Sequence, residues 1–159
     1  MTSVVEGKTL PEIISNLALA TTRGNARLAD FRGHHLVLYF YPKDDTPGCT
    51  AEGQEFSAQH AAFLKADTQV VGVSRDGLAA HDRFIKKYGL SITLISDTDE
   101  TLCRAFGVIR EKNMYGKKVL GVERSTFLMD AQGRVRAVWR GIKVPGHVEA
   151  VLAAARALA

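Results

Sequence analysis

Apolar residues fall into short blocks along the chain, and these blocks predict strands that alternate with helices. The clearest block is Leu36–Tyr41, which is apolar or aromatic at every position and predicts a strand covered on both faces, as in a largely parallel sheet. Thr68–Ser74 and Ile92–Ile95 predict two further strands. The last two blocks, Val119–Met129 and Val135–Trp139, are joined by a polar turn and predict a hairpin.

Helical periodicity or helix-boundary signals mark the stretches between and after these strands: Cys49–Leu64, Leu78–Tyr88, Asp97–Phe106 and His147–Leu158. In the first of them, Phe56, Phe63 and Leu64 are expected to face inward. Asp97 and Glu100 form a capping pair at the start of the third. The alternation of strands and helices predicts α/β layers, to which the closing hairpin adds antiparallel pairing.

The remaining segments carry weaker patterns. Ile13–Ala20 is of mixed polarity and ends at the turn signal Thr22–Asn25, after which a short strand and a helical turn are expected through Leu28–Phe31. Arg110–Lys118 is predicted to be a polar loop.

Length and composition are those of one globular domain spanning residues 1–159. The chain has 159 residues, of which 46% are hydrophobic and 24% charged, so it can bury a core and is neither disordered nor fibrous. Its longest interior apolar run, Leu36–Tyr41, is too short to span a bilayer. Met1–Leu10 lacks a basic segment followed by an apolar one. We therefore expect no membrane partner and no secretory signal.

Charge and cysteine content narrow the class of protein further. The two cysteines do not form a disulfide framework, so a cytoplasmic protein with free thiols is expected. The net charge of +4 is modest and spread along the chain, apart from a small cluster of Lys112, Lys117 and Lys118. Because nucleic-acid binders concentrate basic residues on one face, no nucleic-acid partner is expected.

Metal and phosphate motifs are missing from the sequence. The five histidines and the two distant cysteines do not assemble a zinc pattern. The chain also has no glycine-rich loop of the Walker or dinucleotide type. We therefore expect no metal and no cofactor.

Candidate chemistry is concentrated where the apolar strand ends and the first long helix begins. Cys49 follows Pro47 and Gly48 at this helix start, where unpaired backbone N–H groups and the positive end of the helix dipole face outward. Helix N-termini and nearby cations lower cysteine pKa values from about 8.5 to roughly 3.5–7.5. The position therefore predicts a nucleophilic thiolate. The alternative is a buried, inert thiol, since free cysteine is among the most buried residue types.

The spacing of Pro42, Thr46 and Cys49 resembles the active-site signature of the peroxiredoxins. The longer string Tyr39–Thr50 is similar to the Q-type branch, also called bacterioferritin comigratory protein. Further matching segments cover nearly the whole chain: Leu28–Gly33, Ser96–Asp97, Phe106–Val108, Met114–Lys117 and Gly121–Leu128. The last of these contains Arg124, in the strand where the family keeps its catalytic arginine.

The resemblance implies a thioredoxin-like fold, in which helices flank a central mixed sheet with an N-terminal strand extension. It also implies that hydrogen peroxide and organic hydroperoxides are reduced without metal or haem. In that chemistry the Cys49 thiolate attacks one peroxide oxygen and becomes a sulfenic acid. Arg124 and the N–H groups of Gly48 and Cys49 would stabilise the charge of the transition state.

Three further residues receive supporting roles from the same resemblance. The Thr46 hydroxyl would accept a hydrogen bond from the peroxide or donate one to it. Pro42 would shield the thiolate from water, and Glu52 would orient Arg124 as an ion pair. Each residue also has an ordinary interpretation: Arg124 as a solvated strand residue, Thr46 as a turn residue, Pro42 as a strand terminator and Glu52 as a first-turn helix residue. The functional interpretation depends on their joint occurrence.

The second cysteine departs from the family pattern. Many Q-type members place a resolving cysteine five residues after the first, where this chain has Gln54, and others place it in the next helix, Leu78–Tyr88, which has none. Cys103 shares a helical face with Leu102 and Phe106, so it is expected to pack inward and to be structural. We therefore predict a one-cysteine mechanism with an external thiol reductant. The alternative is a Cys49–Cys103 disulfide.

Thioredoxin as the reductant and a monomeric state are implied by the resemblance alone. Two other functions remain open at this stage. One is a disulfide oxidoreductase, although Thr46 stands where such an enzyme needs its first thiol. The other is an interaction domain without catalytic activity, in which Cys49 would be an ordinary thiol.

Overall fold

The computed structural model describes residues 4–159, in which nine strands and six α-helices alternate. The expected absence of a secretory signal over Met1–Leu10 concerns in part residues outside this range. The helices are α1 (Glu12–Ser15), α2 (Pro47–Ala58), α3 (His60–Lys65), α4 (Leu78–Tyr88), α5 (Thr101–Ala105) and α6 (His147–Leu158). The strands are β1 (Leu19–Thr21), β2 (Gly24–Ala26), β3 (His35–Phe40), β4 (Thr68–Ser74), β5 (Thr93–Ser96), β6 (Ile109–Met114), β7 (Lys117–Val122), β8 (Ser125–Met129) and β9 (Val135–Trp139). A 3-10 helix covers Leu28–Phe31.

The central sheet is mixed and has seven strands in the order β2-β1-β5-β4-β3-β8-β9. Strands β3, β4 and β5 are parallel, because each is joined to the next by helices that cross over the sheet. The N-terminal hairpin β1–β2 and the C-terminal hairpin β8–β9 extend the two sides of this parallel centre by antiparallel pairing. This architecture confirms the predicted α/β fold class and its N-terminal strand extension.

Strand β3 divides the core into two clusters, because successive side chains of a strand point to opposite faces of the sheet. Leu36, Leu38 and Phe40 belong to one cluster, together with α1 and α5. Val37 and Tyr39 belong to the other, together with apolar residues of α2, α3, α4 and α6. The continuous apolar pattern of β3 was predicted to mean burial on both faces, and its residues Val37–Phe40 are at most 1% exposed.

The prediction of a polar loop over Arg110–Lys118 is wrong, because this segment forms most of a separate two-stranded hairpin, β6–β7. Tyr115 and Gly116 both have positive φ, at 54° and 78°, which suits a two-residue turn whose twist matches that of the strands. The hairpin residues are mostly exposed, so the alternation of apolar and polar positions that marks a half-buried strand is absent.

Several predicted boundaries also differ from the structure, among them the start of the helix predicted over Asp97–Phe106, which begins at Thr101 as α5. The stretch Val119–Met129 is not one strand, since it is interrupted between β7 and β8 at Glu123 and Arg124. The predicted helix Cys49–Leu64 begins earlier, at Pro47, and is broken at Gln59, where φ and ψ are −97° and 7°. The break turns Leu64 outward, so this residue is 46% exposed rather than buried.

Within residues 4–159, none of the helices combines the length and the apolar character that crossing a bilayer requires.

Candidate active site

Cys49 lies in the first turn of α2, at the edge of the sheet where β3 ends. Strand β3 leads through the short loop 41–46 into Pro47, which has no N–H and occupies the first helical position. Among the described residues, nothing accepts a hydrogen bond from the amides of Gly48 and Cys49. The Cys49 side chain is buried, with 2% of its surface exposed. A sulfur and two free donors therefore meet at one small site.

Arg124 reaches this site from the break between β7 and β8. The prediction placed it within a strand, and that is wrong: it precedes β8, whose first residue Ser125 pairs with Phe40 at the end of β3. Because β8 lies directly beside β3, its start is next to the α2 N-terminus. Arg124 Nη2 is 3.5 Å from Cys49 Sγ, and the Arg124 side chain is 17% exposed.

The guanidinium also lies against the backbone of Gly48. A Cβ atom added at this glycine would be 3.0 Å from Arg124 Nη2, a tight contact. A larger residue would therefore require the guanidinium to shift by a few tenths of an ångström. The Pro-Gly pair before Cys49 leaves room for Arg124 as well as for open amides.

Glu52, one turn further along α2, fixes the other side of the guanidinium. Arg124 Nη1 donates a hydrogen bond of 2.6 Å to Glu52 Oε1, and the Glu52 side chain is fully buried. Burial raises the pKa of Glu52 from 4.5 to about 7, although the charge and hydrogen bond of Arg124 oppose that rise. Burial by itself would lower the pKa of Arg124, but Glu52 and Cys49 outweigh it and raise that pKa.

Thr46 and Pro42 line the loop that precedes the sulfur. Thr46 immediately precedes α2, is half-buried and donates its hydroxyl proton to the Lys43 carbonyl at 2.8 Å. Pro42 is half-buried directly after Tyr41 at the end of the central strand. The structure thus places Thr46, Gly48, Cys49, Glu52 and Arg124 at the start of α2. Pro42 lies at the start of the loop that leads to this helix, and Cys103 lies elsewhere.

Cys103 lies elsewhere, in the apolar cluster on the opposite face of the sheet from Cys49. Its side chain is fully buried, and both cysteines are free thiols. Burial is the largest cause that raises the pKa of the Cys103 thiol, and the Asp97 carboxylate adds to it. The expectation that Cys103 packs inward with Leu102 and Phe106 is confirmed.

Two histidines, His81 and His147, form buried hydrogen bonds that the sequence alone did not predict. His81 Nδ1 is 2.7 Å from Asp44 Oδ2, so α4 holds the loop before Cys49. His147 Nε2 is 2.8 Å from the Thr126 hydroxyl, and burial, with Arg124 nearby, lowers its pKa to about 4. Their partners are 37 and 21 residues away, so no local pattern could have found these pairs.

A metal centre is not among the features of this site. Across residues 4–159, no group of three or more histidine, cysteine, aspartate or glutamate side chains is arranged to hold an ion. The charged groups at Cys49 are instead one guanidinium and one carboxylate.

Comparison with known proteins places the chain among thiol-based peroxidases. A sequence model of the AhpC/TSA family matches residues 7–138. Peroxiredoxin Bcp of Xanthomonas campestris is 54% identical over 149 residues, which cover 93% of each chain. Peroxiredoxin Bcp of Bacillus subtilis is 44% identical over 126 residues, which cover 79% of this chain and 80% of that protein.

Solved structures give the same result. Xanthomonas campestris peroxiredoxin Q superposes with a TM-score of 0.90 at 52% identity, covering 98% of both chains. A structure of the bacterioferritin comigratory protein of that organism, from work on its alkyl peroxide reduction activity, superposes with a TM-score of 0.89 at 49% identity. It covers 99% of this chain and 98% of the other.

Proposed function

This chain belongs to the AhpC/TSA family and is a thiol peroxidase of the peroxiredoxin Q, or Bcp, branch, and from that premise we propose that Cys49 is its peroxide-reducing thiolate. The observation that carries the proposal is the 3.5 Å contact between Arg124 Nη2 and Cys49 Sγ at the open end of α2. A positive guanidinium beside the sulfur favours the thiolate, which is the nucleophile.

The reaction follows from the atoms around the sulfur. Cys49 Sγ donates an electron pair to one peroxide oxygen, and the S–O bond forms as the O–O bond breaks. The sulfur becomes a sulfenic acid, and the second oxygen leaves as hydroxide or alkoxide and takes a proton to give water or an alcohol. Arg124 and the amides of Gly48 and Cys49 are fixed donors for the charge that spreads over sulfur and both oxygens.

Thr46 has one defined role in this geometry. Its only hydroxyl proton is donated to the Lys43 carbonyl, so toward the substrate the Thr46 oxygen accepts. It would therefore accept a hydrogen bond from the O–H of a hydroperoxide and orient the O–O bond along the line of attack. Glu52 acts through Arg124, and Pro42 limits the access of water.

Rapid-mixing kinetics of Cys49 oxidation, followed by mass spectrometry of the product, tests this function. We expect rapid oxidation by hydrogen peroxide and by an organic hydroperoxide, with one oxygen atom added at Cys49. A Cys49 that reacts no faster than a free thiol in solution would contradict the proposal and favour the interaction domain.

For the second half of the cycle we propose a one-cysteine mechanism, in which an external thiol such as thioredoxin reduces the sulfenic acid. The location of Cys103 on the far side of the sheet supports it, because a disulfide needs Cα atoms about 4.4–6.8 Å apart. After one equivalent of peroxide, Cys103 should remain a free thiol. A protein with no free thiols and a monomer mass two hydrogens lighter would instead establish the Cys49–Cys103 disulfide.

The remaining proposals concern the setting in which the enzyme works. We propose a monomeric, cytoplasmic enzyme in which residues 1–159 act as one domain. Light scattering of the reduced and the oxidised protein tests the oligomeric state, and a dimer in either form would overturn it.

A further inference from the structure

A buried histidine–aspartate pair ties the loop before Cys49 to the helix α4. Asp44, in that loop, accepts a hydrogen bond from the Tyr41 hydroxyl at Oδ1 and forms a second one between Oδ2 and His81 Nδ1, each at 2.7 Å. The side chains of His81 and Asp44 are 0% and 6% exposed. Hydrogen bonds to a charged group are stronger than neutral ones, and burial removes the competition from water.

The partners of His81 fix its hydrogens. His81 Nε2 is 2.9 Å from the Ile95 carbonyl, which can only accept, so Nε2 carries a proton. His81 Nδ1 is 2.7 Å from Asp44 Oδ2, so a second proton lies between these two atoms. The ring is therefore held at both nitrogens, by β5 on one side and by the loop before Cys49 on the other.

The backbone of Asp44 connects this pair to Thr46. The Asp44 N–H donates to Asp76 Oδ2 at 2.9 Å, and the same oxygen accepts from the Ser74 hydroxyl at 2.6 Å. The peptide group before Asp44 is planar and trans, so the Lys43 carbonyl points the opposite way from this N–H. That carbonyl accepts the Thr46 hydroxyl proton. The direction of the Thr46 oxygen thus depends on how Asp44 is held.

We propose that Asp44 and His81 are positioning residues for peroxide reduction, because they fix the Lys43–Asp44 peptide and through it the acceptor face of Thr46. The inference rests on the proposed function of Cys49. Neither residue contacts the sulfur, so their effect is specific to substrates that Thr46 must orient.

A second histidine–aspartate pair provides a matched control. His34 Nδ1 lies 2.6 Å from Asp67 Oδ1, but these side chains are 54% and 57% exposed. The pair joins the segments before β3 and β4, away from the loop that carries Thr46. Both pairs join a histidine to an aspartate, but only the pair of Asp44 and His81 is buried and attached to the loop before Cys49.

The test compares two electrophiles in Asp44→Ala, Asp44→Asn and His34→Gln. In Asp44→Ala, the rate of Cys49 oxidation by peroxide should fall by roughly tenfold to a hundredfold, because a small misplacement of an orienting group has an effect of that order. Alkylation of Cys49 by iodoacetamide should keep its wild-type rate, since it does not use Thr46. Asp44→Asn can accept from Tyr41 and donate to a neutral His81, so it should recover most of the lost rate. His34→Gln should react as the wild type does with both reagents.

Two results would contradict the proposals, and each identifies the proposal that fails. If Asp44→Ala slows both reactions alike, or neither, the pair is structural and the inference fails. If wild-type Cys49 itself does not react with peroxide, the proposed function fails instead. Nuclear magnetic resonance of the wild-type protein with isotope-labelled histidine tests the pair even if Asp44→Ala does not fold. We expect one proton on Nε2 and a second one in a hydrogen bond between Nδ1 and Asp44, and a ring whose Nδ1 takes part in no such bond would overturn the inference.

Discussion

The two cysteines occupy the same position in two different helices, yet their surroundings are opposite. Cys49 is the third residue of α2, Cys103 is the third residue of α5, and both are buried. In α5, the amides of Leu102 and Cys103 donate to the two oxygens of Asp97, at 3.0 Å and 2.7 Å. Within residues 4–159 the corresponding amides of α2 have no such acceptor. A helix start favours a thiolate only where its donors are left open.

The charged side chain nearest to each sulfur also differs between the two sites. The guanidinium of Arg124 approaches Cys49. Burial raises the pKa of the Cys103 thiol, and the carboxylate of Asp97 beside it adds to that rise. One site stabilises negative charge on sulfur and the other opposes it. Position in the secondary structure is therefore insufficient to identify a reactive cysteine.

The largest difference in peroxide reduction between the two sites should appear when each cysteine sulfur is replaced in turn. Cys49→Ser should abolish peroxide reduction and leave the fold intact, because the nucleophile is lost but the side-chain volume is nearly kept. Cys103→Ser should retain activity, because its sulfur takes no part in the first step. Both are measured as peroxide consumption with an added thiol reductant and as thermal unfolding. Equal loss of activity in the two variants would contradict the contrast between the sites.

Removing the cation at Cys49 should have the next largest effect. In Arg124→Ala, the rate of Cys49 oxidation should fall by about 10²–10³-fold, the usual loss for one fixed donor to a charged transition state. Rapid-mixing kinetics measures this rate. Arg140→Ala is the control, since Arg140 donates to the Phe106 and Gly107 carbonyls and packs on Phe127 in the other apolar cluster. Comparable losses in both variants would remove the specific role of Arg124.

Glu52, beside Cys49, should make the stability of the folded protein depend on pH. Its pKa in the folded protein, about 7, is above its ordinary value of 4.5, so the folded state binds the proton more tightly than the unfolded state does. This contribution to stability is present below pH 4.5 and is lost as the pH rises through 7. Between these two pH values, the free energy of unfolding should fall by at most about 1.4 kcal/mol for each pH unit.

In Glu52→Gln this part of the pH dependence should disappear. Denaturant unfolding across the pH range measures the free energy of unfolding of the variant and of the wild type. Glu149→Gln, which changes an exposed glutamate of α6, should keep the wild-type slope. A slope unchanged in Glu52→Gln would show that Glu52 is ionised throughout.

The smallest effect on peroxide reduction is expected from a change beside the second cysteine, Cys103. Asp97→Asn removes the charge and one of the two acceptors for the α5 amides, which should lower the free energy of unfolding by about 1–3 kcal/mol. Peroxide reduction should be unaffected, because Asp97 contacts the other thiol. A fall in the rate of Cys49 oxidation would mean that the two faces of the sheet are coupled.

The hydrophobic pattern was most informative where burial is regular. The parallel strands β3 and β4 and the helices α4 and α6 follow from continuous apolar runs or one-sided apolar faces, and they occur where predicted. The hairpin β6–β7 was missed because its side chains are exposed and its turn depends on positive φ at Tyr115 and Gly116. Strand pairing without burial leaves little trace in the pattern of polarity.

The sequence by itself determined the local chemistry of this protein: a proline, a glycine and a cysteine at a helix start after a buried strand, with Thr46 in the loop before them. These features depend on neighbours within a few residues, and backbone propensities act over that range. Only the tertiary structure decided which distant groups reach them. The contacts of Cys49 with Arg124 and of Asp44 with His81 join residues 75 and 37 positions apart.

The location of Cys103 was likewise a matter of tertiary structure. An inward-facing helical stripe predicts burial, but it is the same whichever face of the sheet the helix covers. The crossover of the chain places α5 and α2 on opposite faces, and this separates the two sulfurs. The carboxylate beside Cys103 comes from Asp97, only six residues earlier in the chain. The guanidinium beside Cys49 comes from Arg124, 75 residues later, so long-range packing decided the cation.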